Sequence, residues 1–330
     1  MDNQLTLVTG GTGFLGSYLL RELVAKGCRV RALRRASSQM DLVRDVADRV
    51  EWAEGDVNDL WALEEALRGV THVYHCAAMV SFHPRDVRNM MKINVEGTAN
   101  IVNLCLETGV RKLVHVSSIA AVGRTKERPQ LDETSKWVDG PLNTNYAISK
   151  HLSEMEVWRG HAEGLPVGIV NPAIILGAGR WHEGSARFFK QVFDGLKFCP
   201  VGRSGFVDVR DVARFMVSLM DSGISGQRYI LSADSWSYRQ FFDAVAASLQ
   251  VPAPGIRVEP WLAEVAWRVE WLKEKLTGIQ PMVTRESART SVNSFFYGNE
   301  KSRSVFGFEY RPLAETIAEV GAQFLAAHRH

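Results

Sequence analysis

The chain has 330 residues, 46% of them hydrophobic and 23% charged, with a formal net charge of +2. That length can bury the core of two domains or of one large domain with an appended lobe, and the near-balanced charge without a long Lys/Arg run argues against a nucleic-acid partner. Cys28, Cys76, Cys105 and Cys199 lie far apart without C-x-x-C spacing, which excludes a disulfide framework or zinc site and leaves reduced thiols.

Leu5 to Val8 reads as a strand and Phe14 to Leu23 carries helical apolar spacing, so Gly10, Gly13 and Gly16 fall at a strand-to-helix turn. Such a turn can hold a pyrophosphate. Gly10 permits the tight turn, Gly13 lets the backbone reach the phosphates, and Gly16 lets helix and strand pack closely. The N–H groups that open the helix, at Phe14 and Leu15, then face the anion. Taken alone, a glycine-rich turn is as readily only a turn. A strand this early leaves no room for a signal peptide and no apolar stretch reaches membrane-spanning length, so the expectation is a cytoplasmic protein without stable membrane insertion.

Arg29 to Leu33, Val50 to Ala53, His72 to Cys76, Lys112 to Ser117 and Val167 to Val170 are β-like. They alternate with amphipathic stretches, the longest being helices over Asp86 to Thr108 and Asn145 to Glu163. The alternation predicts an α/β Rossmann fold with a doubly wound parallel sheet. After Asn171-Pro172 the pattern turns irregular and then mostly helical, which reads as a smaller C-terminal substrate lobe with no repeat or flexible linker. Within it, Trp261 to Leu276 sets Leu262, Val265, Val269, Leu272 and Leu276 on one helical stripe, with Trp267 and Trp271 beside it. Acidic and basic residues are mixed along this helix and show no basic face for anionic lipid. Burial in the lobe or over the substrate entrance is therefore expected in preference to a membrane-surface or partner role.

Tyr146 and Lys150 are four positions apart, so on a helix their head groups converge on one site. Lowering a tyrosine from its usual pKa of about 10 to about 7 takes roughly 4 kcal/mol. A neighbouring ammonium and the positive ring of an oxidised nicotinamide can supply much of that. An isolated Y-x-x-x-K is more often a solvated pair, but this one opens a helix between the fifth and sixth strands of a sheet whose first turn suits a dinucleotide.

TGGTGFLG (Thr9 to Gly16), GDV (Gly55, Asp56, Val57), HCAA (His75 to Ala78), NVEGT (Asn94 to Thr98), VSS (Val116 to Ser118) and YAISK (Tyr146 to Lys150) follow in this order. Together they resemble the extended short-chain dehydrogenase/reductase superfamily of NAD-dependent epimerase/dehydratase type. VNPAIILG (Val170 to Gly177) and FVDVRDVA (Phe206 to Ala213) extend the likeness over essentially the whole chain. The resemblance implies a dinucleotide-binding domain over 1–171, to which 206–231 returns, and a substrate lobe formed by 172–205 and 232–330. It implies that Tyr146 is the general acid/base and that Lys150 lowers its pKa and holds the nicotinamide ribose. Ser118, preferred over Ser117 because it stands five residues before Gly123, would bond the substrate oxygen. Asp56, with Val57 beside it, would accept from the adenine amino group. Ala77 and Ala78 would leave room for the adenosine ribose and phosphates, and Asn171 completes the cofactor set. Asn94 would fix backbone geometry beside the site, with a proton relay as the alternative. A homodimer through the long helices after the fourth and fifth strands follows by analogy.

An NAD enzyme usually places an acid after the second strand for the ribose 2′-hydroxyl. Here the chain runs from Val30 to Ser38 without one, and Arg34 and Arg35 suit a 2′-phosphate. NADP(H) is therefore preferred over NAD(H), the alternative being a solvated basic loop. Similar proteins acting on sugar nucleotides carry an arginine where Gly205 stands, although Arg203 is close by. That departure favours the branch resembling dihydroflavonol reductases, cinnamoyl-type reductases and 3β-hydroxysteroid dehydrogenases, whose small-molecule substrates are largely apolar. Met79, Val80, Phe82, His83, Trp181, Phe188, Phe189 and Phe193 either line such a pocket or close the lobe's core. His83 and His182 read as surface or structural residues, and without metal-ligand spacing no metal is expected. Three readings stand: an NADP-dependent carbonyl reductase or alcohol dehydrogenase, a nucleotide-sugar epimerase or dehydratase with catalytic NAD, and a non-catalytic dinucleotide sensor. A sensor would need no proton donor such as Tyr146.

Overall fold

β1 (Leu5–Thr9) is buried at every position, as befits a strand covered on both faces. The computed structural model describes residues 4–125, 127, 129–278, 281 and 283–328. After β1 the chain runs through α1 (Phe14–Ala25), β2 (Arg29–Arg34), β3 (Glu51–Glu54), α2 (Leu60–Leu67), β4 (Val70–His75), α3 (Val87–Met91), α4 (Gly97–Thr108) and β5 (Lys112–Val116). It continues into β6 (Gln130–Leu131), α5 (Asn145–Ala162), β7 (Val167–Pro172), β8 (Ile174–Leu176), α6 (Ala186–Phe193), β9 (Phe198–Pro200), β10 (Arg203–Asp208), α7 (Val209–Asp221) and β11 (Gln227–Leu231). The remainder comprises β12 (Asp234–Ser237), α8 (Tyr238–Leu249), β13 (Ile256–Val258), α9 (Pro260–Thr277), α10 (Arg285–Ser291), β14 (Phe296–Tyr297), α11 (Glu300–Phe306) and α12 (Leu313–Ala327).

Seven strands form one parallel sheet in the order β11-β7-β5-β4-β1-β2-β3. Chain order reverses at β1, so a crevice opens beyond the carboxyl ends of β1 and β4, where open α/β sheets bind ligands. Leu19, Leu23, Phe215 and Leu219 of α1 and α7 close one face of the sheet. Leu63, Ile101, Leu104 and Val157 of α2, α4 and α5 close the other. A smaller sheet, β12-β10-β8, carries the lobe, whose core joins Phe189, Phe206, Phe241 and Phe324. Phe188 packs edge-on against Phe241 and Phe242, and Trp181 and Phe193 rest on Phe324, so these aromatic residues close the lobe instead of lining a pocket.

Two helices differ from expectation. The helix expected over Asp86 to Thr108 is interrupted by a π-helical turn, Lys92–Glu96, between α3 and α4. Such turns arise where a side chain makes demands on the local backbone, and Asn94 lies in this one. The stripe on α9 is not buried: Ala263 alone among the residues of this helix is enclosed, while Val265, Val269, Leu272 and Leu276 are exposed. The polar side turns inward because its acids find cations there. Glu264 pairs with Arg289 of α10, and Glu274 pairs with His83 and Arg85 in the loop after β4.

Candidate active site

At the glycine turn the backbone is packed to contact. Gly10 has φ +69°, and a Cβ there would lie 2.7 Å from the Ala77 nitrogen; one on Gly16 would collide with the Gly10 carbonyl. The Gly13 N–H donates to the Gly10 carbonyl at 3.0 Å, and Gly13 caps α1 without a side-chain acceptor. The N–H groups of the first turn, at Phe14, Leu15 and Gly16, have no partner within the helix. A backbone cradle this narrow, with donors at a helix N-terminus beside the switch point, fits a dinucleotide pyrophosphate. On the flank, Asp56 accepts from the backbone and side-chain nitrogens of Asn58 through one carboxylate oxygen, both at 3.0 Å. Val57 packs against Gly97. Arg34 stands 3.8 Å from Glu54, and Arg35 is exposed with its backbone N–H on the Ser38 hydroxyl.

The reacting side chains come from the loop after β5 and the first turns of α5. Thr144 caps α5 by accepting from the Ala147 N–H at 3.0 Å, which sets Tyr146 in the first turn and Lys150 one turn later. Ser118 lies beside the Tyr146 phenol and draws its pKa down, and Phe82 meets the same ring edge-on with centroids 5.8 Å apart. Burial raises the phenol above its usual value, while Ser118 and the Arg124 guanidinium pull it down. Lys150 is 2% exposed and donates to the Val116 carbonyl at 2.7 Å. Burial brings its pKa down to about 8 against the opposing pull of Glu154 and Cys76. Arg124 thus adds its positive charge to the surroundings of Tyr146, while the Lys150 ammonium donates to the Val116 carbonyl.

Ser117 and Ser118 separate cleanly. Ser117 donates to Glu154 at 2.7 Å beneath the site, leaving Ser118 beside the phenol. Asn171 is fully enclosed, with its amide nitrogen on the Ser118 carbonyl (3.0 Å) and on Glu154 (2.8 Å). It therefore supports the serine loop from below, one layer removed from the crevice. Asn94 clasps the backbone N–H and carbonyl of Met79 at 2.7 and 2.9 Å and donates to Ser149 at 3.0 Å, holding the loop after β4 against α5.

Glu154 was missed from sequence. It is 2% exposed and joins Ser117, Asn171, Trp158 and Arg228, the last at 3.1 Å. A signal existed, because Tyr146, Lys150 and Glu154 repeat at four-residue spacing along one helix face. Arg124 had no comparable signal. Its guanidinium lies over the Phe295 and Tyr297 rings, 5.4 and 5.9 Å from their centroids. With Leu142, Thr144, Arg285, Arg289 and Phe295 it lines a cavity of about 230 Å³ beside the start of α5. At Gly205 a Cβ would meet the Ser232 hydroxyl at 2.5 Å, so no arginine fits there, and Arg203 is tied to the Ser235 carbonyl and the Phe296 ring. His83 is bound to Glu274 and the Arg85 N–H, and His182 is exposed. No cluster of metal-ligating side chains occurs among the described residues.

A glycine cradle at the switch point and a Ser-Tyr-Lys group on the same sheet edge define an enzyme of the Rossmann, dinucleotide-dependent class. The chain belongs to the NAD dependent epimerase/dehydratase family, whose model matches residues 6–232. It is 35% identical over 266 residues to sterol demethylase protein B of Methylococcus capsulatus, covering 78% of this chain and 79% of that one. It is 29% identical to a putative dihydroflavonol 4-reductase of Synechocystis, covering 94% and 92%. The crystal structure of gox2253 superposes with a TM-score of 0.84 at 32% identity over 99% of both chains.

Proposed function

We propose that the protein is an NADP(H)-dependent oxidoreductase that moves hydride between the cofactor and the carbonyl or secondary alcohol of a small, largely apolar substrate. The observation that carries this reading is the placing of Ser118 beside the Tyr146 phenol at the carboxyl edge of the sheet that also holds the glycine turn. Gly10, Gly13 and Gly16 with the N–H groups of Phe14 and Leu15 would hold the pyrophosphate, and Asp56, Val57, Ala77 and Ala78 the adenosine. Arg34 and Arg35 would take the 2′-phosphate and Lys150 the nicotinamide ribose. When bound, nicotinamide supplies the hydride. Tyr146 donates its proton to the substrate oxygen while the Ser118 hydroxyl bonds the same atom, so the carbonyl gains one hydride and one proton and leaves as the alcohol. The raised phenol pKa keeps that proton in place at neutral pH. A homodimer across α4 and α5 belongs to the same reading, and Leu152 and Met155 of α5 are exposed apolar side chains there.

One observation favours a nucleotide-sugar epimerase or dehydratase instead: the guanidinium groups of Arg124, Arg285 and Arg289 around the 230 Å³ cavity suit an anionic substrate. Against it, Arg289 is engaged by Glu264, and Gly205 has no room for the arginine of similar sugar-nucleotide enzymes. NADPH and NADH consumption over a panel of aromatic, aliphatic and steroidal ketones and aldehydes, with Tyr146→Phe as control, tests the first reading. Turnover that needs Tyr146 and prefers NADPH supports it. Tightly retained NAD with conversion of UDP- or dTDP-sugars and no carbonyl turnover would replace it with the second.

A further inference from the structure

α9 reaches the loop after β4 through Glu274, yet its outer face is apolar and exposed. Trp261, Val265, Val269, Leu272 and Leu276 recur every three or four residues and are 69%, 47%, 59%, 53% and 78% exposed. The patch begins before the helix, because Ile256 of β13 and Phe198 of β9 are directly paired and both exposed. Clustered apolar exposure of this extent marks an interaction surface.

The charges say what it meets. Glu264 and Glu274 are drawn toward neighbouring elements, and Glu270 is paired along the helix. Glu264 is held by Arg289, Arg268 and the Trp267 indole, Glu270 lies beside Lys273, and Glu274 is clasped by His83 and Arg85. The Arg268 and Lys273 side chains are 57% and 47% exposed, against 33%, 20% and 15% for Glu264, Glu270 and Glu274. Arg268 and Lys275 each lie over a tryptophan ring, Trp267 and Trp271, at 4.5 and 4.7 Å. The mixed charges of the linear sequence thus sort in space into an inward acidic side and an outward side of apolar residues and cations.

We infer that α9 lies in the surface of an anionic lipid bilayer, with Trp261, Val265, Val269, Leu272 and Leu276 dipping among the acyl chains and Arg268, Lys273 and Lys275 at the headgroups. This is the arrangement of an interfacial helix, with lysine and arginine stems reaching outward from an apolar face. Two copies of this face packed on each other would bring the same cations together without a free acid to offset them, whereas anionic headgroups neutralise them. The helix is also wired to the site: Glu274 holds His83 and Arg85, and the adjoining Phe82 rests on Tyr146.

The test is co-sedimentation of the full chain with vesicles of phosphatidylcholine alone and of an equal mixture with phosphatidylglycerol, alongside light scattering for oligomeric state. The wild type is expected to pellet with the mixed vesicles, weakly with the neutral ones, and less as salt is added. Trp261→Ser/Leu272→Ser/Leu276→Ser, with unchanged circular dichroism, is expected to lower the partition at least tenfold, equivalent to about 1.4 kcal/mol. Arg268→Gln/Lys275→Gln keeps the apolar stripe and should abolish the preference for anionic lipid. Wild type remaining in the supernatant, or pelleting equally with the triple variant, overturns the proposal. So does a wild-type oligomer that dissociates in the triple variant without vesicle binding, which would assign the face to a second copy of the chain.

Discussion

α5 and α9 are both eighteen-residue helices rich in apolar and charged side chains, and they meet opposite fates. α5 lies against α4 and the sheet, with Lys150 and Glu154 enclosed and satisfied by Val116, Ser117, Asn171 and Arg228, and Ser153 by the Lys150 carbonyl. α9 lies against α10 by its acids and leaves its apolar residues outside. A helical stripe therefore says that one face is distinct, while the polar partners across the helix decide which face turns inward. On α5 Glu154 is held inside by Arg228, whereas on α9 Glu264 and Glu274 reach Arg289, His83 and Arg85 on neighbouring elements and leave the apolar stripe outward.

Breaking the α5 side should produce the largest effects. Tyr146→Phe is expected to reduce turnover by roughly a hundred- to ten-thousand-fold with little change in melting temperature; residual activity within a factor of a few would remove the tyrosine from the chemistry. Glu154→Gln takes the carboxylate from Arg228, which keeps the Glu133 and Ser135 carbonyls, and is expected to destabilise the fold by about 1–3 kcal/mol, read as a lower denaturant midpoint. A midpoint equal to wild type would mean that the Glu154 cluster contributes nothing. Gly16→Ala drives a Cβ into the Gly10 carbonyl, so cofactor affinity should fall more than tenfold together with a loss of roughly 1–3 kcal/mol. Titration with NADPH and thermal melting check both halves.

The KM for NADPH should rise as pH climbs through about 8, where Lys150 loses the proton with which it would hold the nicotinamide ribose. Lys150→Arg, which stays charged, should flatten that limb, and a wild-type profile that is already flat would sink the role. The sign for stability follows from the same shift. Native Lys150 binds fewer protons than the unfolded chain between about 8 and its ordinary 10.5, so its contribution to stability rises with pH over that window and is absent in Lys150→Met. The smallest effects belong to α9. Val269→Ser or Leu276→Ser should change stability by less than about 0.5 kcal/mol, whereas Leu104→Ala or Leu113→Ala in the sheet core should cost about 2–5 kcal/mol. A core-sized loss at Val269 would show that the stripe is covered and erase the contrast.

Much of the sheet was legible because its signals are local. A strand, three glycines at fixed spacing and a helix predict their own turn, and Tyr146 and Lys150 share a face through helical periodicity alone. The choice between Ser117 and Ser118 rested on a spacing, and the geometry now separates them by what each touches. Arg124 carries no local signal because its ring partners Phe295 and Tyr297 come from the far end of the sequence. Glu154 was within reach of periodicity, but its importance lies in Arg228, on a strand that arrives much later.

The sequence by itself determined the alternating architecture, the pyrophosphate cradle and the Tyr-Lys face, since each depends on residues close along the chain and on backbone sterics or helical period. Packing in three dimensions set Arg124 over Phe295 and Tyr297, tied the serine loop to the sheet through Glu154, and turned the apolar stripe of α9 outward. Those outcomes depend on which charges meet across space. A buried ion is tolerated only beside its partner, and the partners here lie tens to hundreds of residues away.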